Sequence, residues 1–268
     1  MPEGDTIFRA ARTLQAALAG SVVTEFLTVF PQLARVDADT PVTGRTVESV
    51  VAAGKNLLMT FSGDLHLHTH MRMNGSWHIY RPGEAWRKRR SDMRIVIGTE
   101  RWIAVAFNVP VAEFHDSRSL EREPGLSQIG PDLLGDSFDL DEAIRRISLR
   151  ADDEIADVLL DQRVVAGIGN EYKSELLFMR RISPFAKAGT VAREELEALL
   201  NLSRKVMQAN VRMRTAGRVT TGSLDPRERG WVYSRSGEPC RRCGTPIEFA
   251  RQGKDARGTY WCPACQRT

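Results

Sequence analysis

Four cysteines place the firmest constraint on this chain. They form two matched pairs, Cys240-x-x-Cys243 and Cys262-x-x-Cys265, with 18 residues between them, all within the last 29 of 268 residues. Two such knuckles are the donor pattern of a closed, tetrahedral structural zinc site. A redox pair is the alternative, but two knuckles on candidate strands, Ile247–Arg251 and Thr259–Trp261, favour metal. A module this small depends on its metal to fold. No cysteine is left for a disulfide framework elsewhere, which fits a reducing compartment.

The same end of the chain is strongly basic. Residues 201–268 carry 14 Lys/Arg against 5 Asp/Glu, a balance of +9, whereas residues 1–200 balance at −5. Arg241, Arg242, Arg251, Lys254 and Arg257 decorate the cysteine module. Such an asymmetry points to a polyanion partner, with a solvated basic face as the alternative. No apolar run approaches a membrane span, and Glu3 and Asp5 interrupt the start where a secretory signal would be apolar.

Residues from Asp5 to about Ala19 repeat apolar side chains at helical spacing, with Asp5 or Thr6 as the expected cap. Residues 21–115 read as about eight short strands, hence an antiparallel sandwich or barrel. Gly54-Lys55 sits at a turn between two of them. His66, His68 and His70 alternate along one strand face; ordinary strand histidines are the default and a metal site the lesser reading. Arg72-Met73-Asn74-Gly75 reads as a loop presenting a cation beside a flexible apolar side chain. Trp86-Arg87-Lys88-Arg89-Arg90 is expected as a mobile basic loop or a phosphate contact. Residues 117–137, rich in Gly and Pro, read as a linker. From about Leu140 to Met213 the period is helical. A Gly167-x-Gly169 turn precedes a helix that Asn170 is expected to cap, and a helix N-terminus attracts phosphate.

The first residues offer a candidate for chemistry, although by themselves they read first as an ordinary terminus. Removal of Met1 would expose the secondary amine of Pro2, and a free α-amino group titrates at roughly pH 7.7–8.0. A useful fraction is then nucleophilic at neutral pH. Attack on a sugar carbon gives a permanently charged iminium, with Glu3 one residue away to move protons. A frayed, inert terminus is the alternative.

Together these stretches resemble the formamidopyrimidine-DNA glycosylase/endonuclease VIII family. Pro2-Glu3-Gly4, Gly54-Lys55, the Ala166–Asn170 turn and Arg257-Gly-Thr-Tyr-Trp-Cys262-Pro-Ala-Cys265-Gln266 carry the resemblance, which runs from Pro2 to Gln266. The Pro-Glu-Gly start and Phe30-Pro31-Gln32-Leu33 are similar to the endonuclease VIII branch. The resemblance implies an α+β multidomain fold: an N-terminal helix plus eight-stranded antiparallel β-sandwich (1–117), a linker (118–130), a helix-two-turns-helix domain (131–228) and a zinc β-hairpin (229–268), with DNA in the cleft between.

It further implies a bifunctional DNA glycosylase and abasic-site lyase of base excision repair, acting on double-stranded damaged DNA. Oxidised pyrimidines are the favoured substrates and oxidised purines the alternative. Pro2 would be the nucleophile, Glu3 the proton donor, Lys55 the lysine of β-elimination, and Arg257 a phosphate ligand also assigned to δ-elimination. Asn170 would grip phosphate beside Arg257, and Glu175 matches the buried glutamate near the amine. Arg72, Met73 and Asn74 would fill the void left by the flipped base, with Met73 as the apolar wedge. Two departures from the pattern stand out. That wedge has no aromatic, and Gln128 stands where an arginine often contacts DNA. One structural zinc and no catalytic cofactor, a monomer, and a cytoplasmic, nucleoid-associated location complete the expectation. A zinc-dependent DNA-binding protein without catalysis is the outcome if Met1 is retained.

Overall fold

The computed structural model describes residues 2–213 and 217–267 and divides into two compact units, Met1–Gln128 and Ile129–Thr268. Each is built around its own elements.

In the first unit, α1 (Gly4–Leu18) is followed by β1 (Val23–Thr28), α2 (Pro31–Asp39), β2 (Val47–Ala53), β3 (Asn56–Phe61), β4 (Leu65–His70), β5 (Ser76–Tyr80), β6 (Met93–Thr99), β7 (Ile103–Phe107) and β8 (Val111–His115). The eight strands form two antiparallel four-stranded sheets, ordered β1-β6-β7-β5 and β2-β3-β4-β8. One core unites their inner faces: Ile7, Leu14 and Leu18 of α1 meet Val50, Met59, Leu67, Ile95 and Ala104. The period of two along each strand dictates which residues enter it.

Three local expectations need correction. The first apolar run, Val22–Phe30, reads as one strand in the sequence, but β1 stops at Thr28, because Pro31 fits the first turn of α2, where a missing N–H costs nothing. The basic run is anchored at its head: Trp86 meets the ring of Phe107 edge-on at 5.7 Å, and Arg87 N–H donates to the Tyr80 hydroxyl at 3.1 Å. The stretch read as a linker begins with two short helices, α3 (Ser117–Arg122) and α4 (Pro124–Ser127). Asp116 and Ser119 form a reciprocal capping box for α3, and Glu123 accepts from Gly125 N–H at 3.3 Å to start α4.

The second unit contains α5 (Leu140–Ser148), α6 (Ile155–Leu160), α7 (Asn170–Arg180) and α8 (Arg193–Arg212), then a hairpin of β9 (Glu248–Gln252) and β10 (Arg257–Trp261). Gln162 pins the α6–α7 turn from within. Gln162 donates to Leu160 O and Ile168 O and accepts from Gly167 N–H, each at 3.0 Å. Gly167 has φ +107°, a backbone that a larger residue rarely adopts. Phe178 of α7, Val232, Ile247, Cys240 and Cys262 form a small core that joins α7 to the cysteine hairpin.

Candidate active site

The chain's start is fixed, not frayed. Glu3 occupies the cap position of α1, and its carbonyl accepts from Thr6 N–H at 2.9 Å and Ile7 N–H at 3.1 Å. Glu3, Gly4 and Asp5 are buried, Glu3 to 0% exposure, while Pro2 is half-buried. The expected caps Asp5 and Thr6 therefore lie inside the first turn, because the helix begins earlier than its apolar period shows. The structure thus holds a buried carboxylate-bearing residue directly behind an accessible imino-acid position. Met1, whose removal would free the amine, lies outside the described residues.

Lys55 lies in the two-residue turn joining β2 to β3, where Ala53 pairs with Asn56 and Gly54 has φ +58°. Its charge is felt by His70, at the end of β4. Burial, then the cationic Arg72 and Lys55, push the His70 imidazole down to about 4. Lys55, His70 and Arg72 therefore share one end of this sheet. The Arg72–Asn74 loop has exposed tip residues, Met73 to 58%. Its base is closed: Gly75 N–H donates to Met71 O at 2.9 Å, and a Cβ on Gly75 would collide with that oxygen. Gln128 is exposed at the end of α4.

In the second unit, Asn170 is the first residue of α7 and Gly169 takes the cap position, so Asn170 does not cap this helix. Its side chain turns to the hairpin instead. Asn170 Nδ2 donates to Gly258 O at 2.6 Å and Oδ1 accepts from Lys173 Nζ at 2.8 Å. Lys173, fully buried, also donates to Gly258 O at 3.2 Å and Thr259 Oγ1 at 2.7 Å. This places Asn170 beside the start of β10, whose first residue is the exposed Arg257. The expected pair is thereby brought together, with the N-terminus of α7 as its third element. Lys173 was not singled out from sequence; a buried lysine on an amphipathic helix looks like a surface residue until its acceptors, 85 and 86 positions away, are seen.

Glu175, 1% exposed, organises the loop that follows α8. Its Oε1 accepts from Val232 and Tyr233 N–H, both at 2.8 Å, and its Oε2 accepts from Trp231 N–H at 2.7 Å and from the Thr220 hydroxyl. Two of the module's arginines are also structural. Arg242 stacks over Phe178 at 4.5 Å and Trp231 at 5.6 Å, and Arg241 donates to Gly230 O and Arg227 O.

The sulfurs of Cys240, Cys243, Cys262 and Cys265 lie within 4.8 Å of one another. Cys243 and Cys262 Sγ are 3.5 Å apart, too far for a disulfide of about 2.05 Å. The edge of a tetrahedral zinc tetrathiolate, built from bonds of about 2.3 Å, is about 3.8 Å. The donor set therefore fits a structural zinc. The strand histidines do not converge on one another: His66 contacts Thr60 and Ser117, and His70 Nδ1 accepts from Arg72 N–H.

Family comparison matches the whole arrangement. Residues 1–122 match the formamidopyrimidine-DNA glycosylase N-terminal domain, 129–221 its H2TH domain and 237–268 the zinc finger found in FPG and IleRS. A probable endonuclease 8 2 of Streptomyces coelicolor is 40% identical, covering 99% of this chain and 94% of its own. The chain belongs to the formamidopyrimidine-DNA glycosylase/endonuclease VIII family. A DNA-(apurinic or apyrimidinic site) lyase of Mycolicibacterium smegmatis is 38% identical, with 99% of each chain covered. A Lactococcus lactis formamidopyrimidine-DNA glycosylase, solved bound to DNA containing an abasic site, shares the family fold with a TM-score of 0.82 over all of both chains, at 21% identity. No helix among the described residues is long and apolar enough to cross a membrane.

Proposed function

We propose that this family member is a bifunctional DNA glycosylase and abasic-site lyase of base excision repair, with oxidised pyrimidines as preferred substrates. The observation that carries this reading is the anchored start of α1, which puts the half-buried Pro2 directly before a fully buried Glu3.

The chemistry follows from those groups. The Pro2 nitrogen lone pair attacks C1′ of the damaged nucleotide; the base leaves with the glycosidic electrons and takes up the proton that the Pro2 nitrogen gives up. Glu3 protonates the sugar ring oxygen as the ring opens, and the product is an iminium. That positive charge acidifies C2′; loss of its proton expels the 3′ phosphate, and a second elimination expels the 5′ phosphate. Lys55, at the β2–β3 turn, takes part in the first elimination, and Arg257, at the start of β10, in the second. Asn170, Arg257 and the α7 N-terminus supply phosphate contacts. Arg72, Met73 and Asn74 enter the space of the flipped nucleotide, with Met73 as the apolar wedge, and Gln128 meets the duplex from α4. Glu175 supports the site through the 220–233 loop it holds. Domain limits at 117, 130 and 228, a monomeric state and work at a bacterial nucleoid belong to the same reading.

Borohydride trapping on duplex DNA with an abasic site tests it. The wild type should form a covalent adduct that disappears in Pro2→Gly. Absence of any adduct in an active preparation would leave a zinc-dependent DNA-binding protein. Relative excision of thymine glycol and 8-oxoguanine tests the preference for pyrimidines.

A further inference from the structure

On the outer face of the β2-β3-β4-β8 sheet, beneath the α3 region, three potential metal ligands converge. The β4–β8 register pairs His68 with Glu113 and His66 with His115, so Glu113 and His115, two apart on one strand, face the same side as His68. We propose that His68, Glu113 and His115 form a second metal site, separate from the four cysteines, for a borderline divalent cation such as Zn2+.

The protonation pattern of His68 supports this. Asn56 Nδ2 donates to Ala53 O at 3.2 Å and Gly125 O at 3.4 Å, which leaves Asn56 Oδ1 as the acceptor facing His68 Nε2 at 2.9 Å. Nε2 therefore carries the hydrogen and Nδ1 presents its lone pair. His68 is 4% exposed, and its Nδ1 has no hydrogen-bond partner among the described residues; the same holds for buried Nε2 of His115. Both nitrogens point at one acceptor: Glu113 Oε2 lies 3.8 Å from His68 Nδ1 and 3.6 Å from His115 Nε2. A cation shared by all three satisfies them.

The geometry is close to what such a cation needs. Ligand bonds of about 2.0–2.1 Å in a tetrahedron give donor–donor edges of about 3.4 Å. The two edges to Glu113 exceed that by a few tenths of an ångström, and all three donors lie within 4.8 Å of one another. Asn56 on Nε2 is the outer hydrogen bond that fixes a ligand histidine's tautomer. Two imidazoles and one carboxylate suit Zn2+ and its neighbours better than Mg2+ or Ca2+. An open depression of about 330 Å3, lined in part by His115 and Glu123, lies beside the cluster. Arg118 and Arg122 border it and oppose a cation, which sets the affinity below that of four thiolates. The inference stands independently of the proposed enzymatic activity.

The full chain, stripped of metal and equilibrated with submillimolar free Co2+, provides the test. Wild type should bind two Co2+ by equilibrium dialysis with elemental analysis. Only one should show the charge-transfer absorption of thiolate-bound cobalt. Glu113→Gln, at a half-exposed side chain that folding tolerates, and His68→Ala should each bind one, with the thiolate band unchanged. His66→Ala, one pair along the same face, should still bind two. A single Co2+ in the wild type, or two in Glu113→Gln and His68→Ala alike, would overturn the proposal.

Discussion

Glu175→Gln makes a demanding trial of the second unit's construction. The carboxylate receives three backbone N–H groups and one hydroxyl in a site that is 1% exposed. Glutamine keeps the shape but replaces one acceptor oxygen with an NH2, which accepts nothing. Turned toward Oε1, that NH2 would confront both Val232 and Tyr233 N–H. Toward Oε2 it confronts Trp231 N–H alone, since the Thr220 hydroxyl can rotate to accept. The second arrangement is cheaper and sets the cost. One buried N–H left unpaired costs about 1–3 kcal/mol, and two bonds to a neutral oxygen instead of a charged one lose about 1 kcal/mol each. The total is roughly 3–5 kcal/mol, about a fifth or more of the stability of an ordinary domain. Native-state amide exchange reads this directly, because 1.4 kcal/mol is a factor of ten in an opening equilibrium. The peptide spanning residues 229–234 should exchange at least about a hundredfold faster, while β3 and β4 keep their protection. Thr220→Val, which removes one donor and leaves the carboxylate, should cost only about 1 kcal/mol. Protection within about fivefold of wild type in Glu175→Gln would refute the view that the carboxylate holds this loop.

Acid should weaken the first unit through His70. Its imidazole is held down to about 4 in the fold against about 6.5 when unfolded, so the unfolded chain takes up the proton first. Stability should fall as pH drops from about 6.5 toward 4, and His70→Gln should flatten that part of a pH-dependent urea series. Zinc chelation should collapse the hairpin, because Cys240 and Cys262 share their small core with Phe178 and Val232. Binding to duplex DNA should then vanish while the near-UV signal of the N-terminal tryptophans persists; simultaneous loss of both would contradict this. Arg257→Ala should weaken DNA binding and reduce the slope of log K against log salt by roughly one, measured by fluorescence anisotropy. An unchanged slope would exclude Arg257 as a phosphate ligand.

What the sequence made legible was what repeats locally. Short apolar runs broken by Gly, Pro and Asp exposed the eight strands, and cysteine spacing exposed the metal site, because both patterns arise from neighbours in the chain. The misses share a cause as well. Pro31 and Pro124 look like breaks, yet each stands in the first turn of a helix. The density of Gly and Pro after residue 117 hid the caps made by Asp116 and Glu123. Asn170 looked like a cap because its hydrogen-bond partner, Gly258, lies 88 residues on. Among the strand histidines, spacing suggested His66, His68 and His70 as companions, whereas register gave His68 the neighbours Glu113 and His115. Cross-strand pairing carries no signature in a single chain of letters.

The turn from Met71 to Gly75 separates what can change from what cannot. Its base tolerates no side chain at Gly75, since the Met71 carbonyl occupies that space, while Arg72, Met73 and Asn74 project outward and bear none of the core. Evolution can therefore rewrite Met73 and Asn74 without renegotiating the β-sandwich beneath them, whereas Arg72, at φ +49° and bonded through its N–H to His70 Nδ1, is held by its backbone. A protein engineer has the same freedom: two codons form an exchangeable cassette, and the glycine after them is the hinge pin that stays.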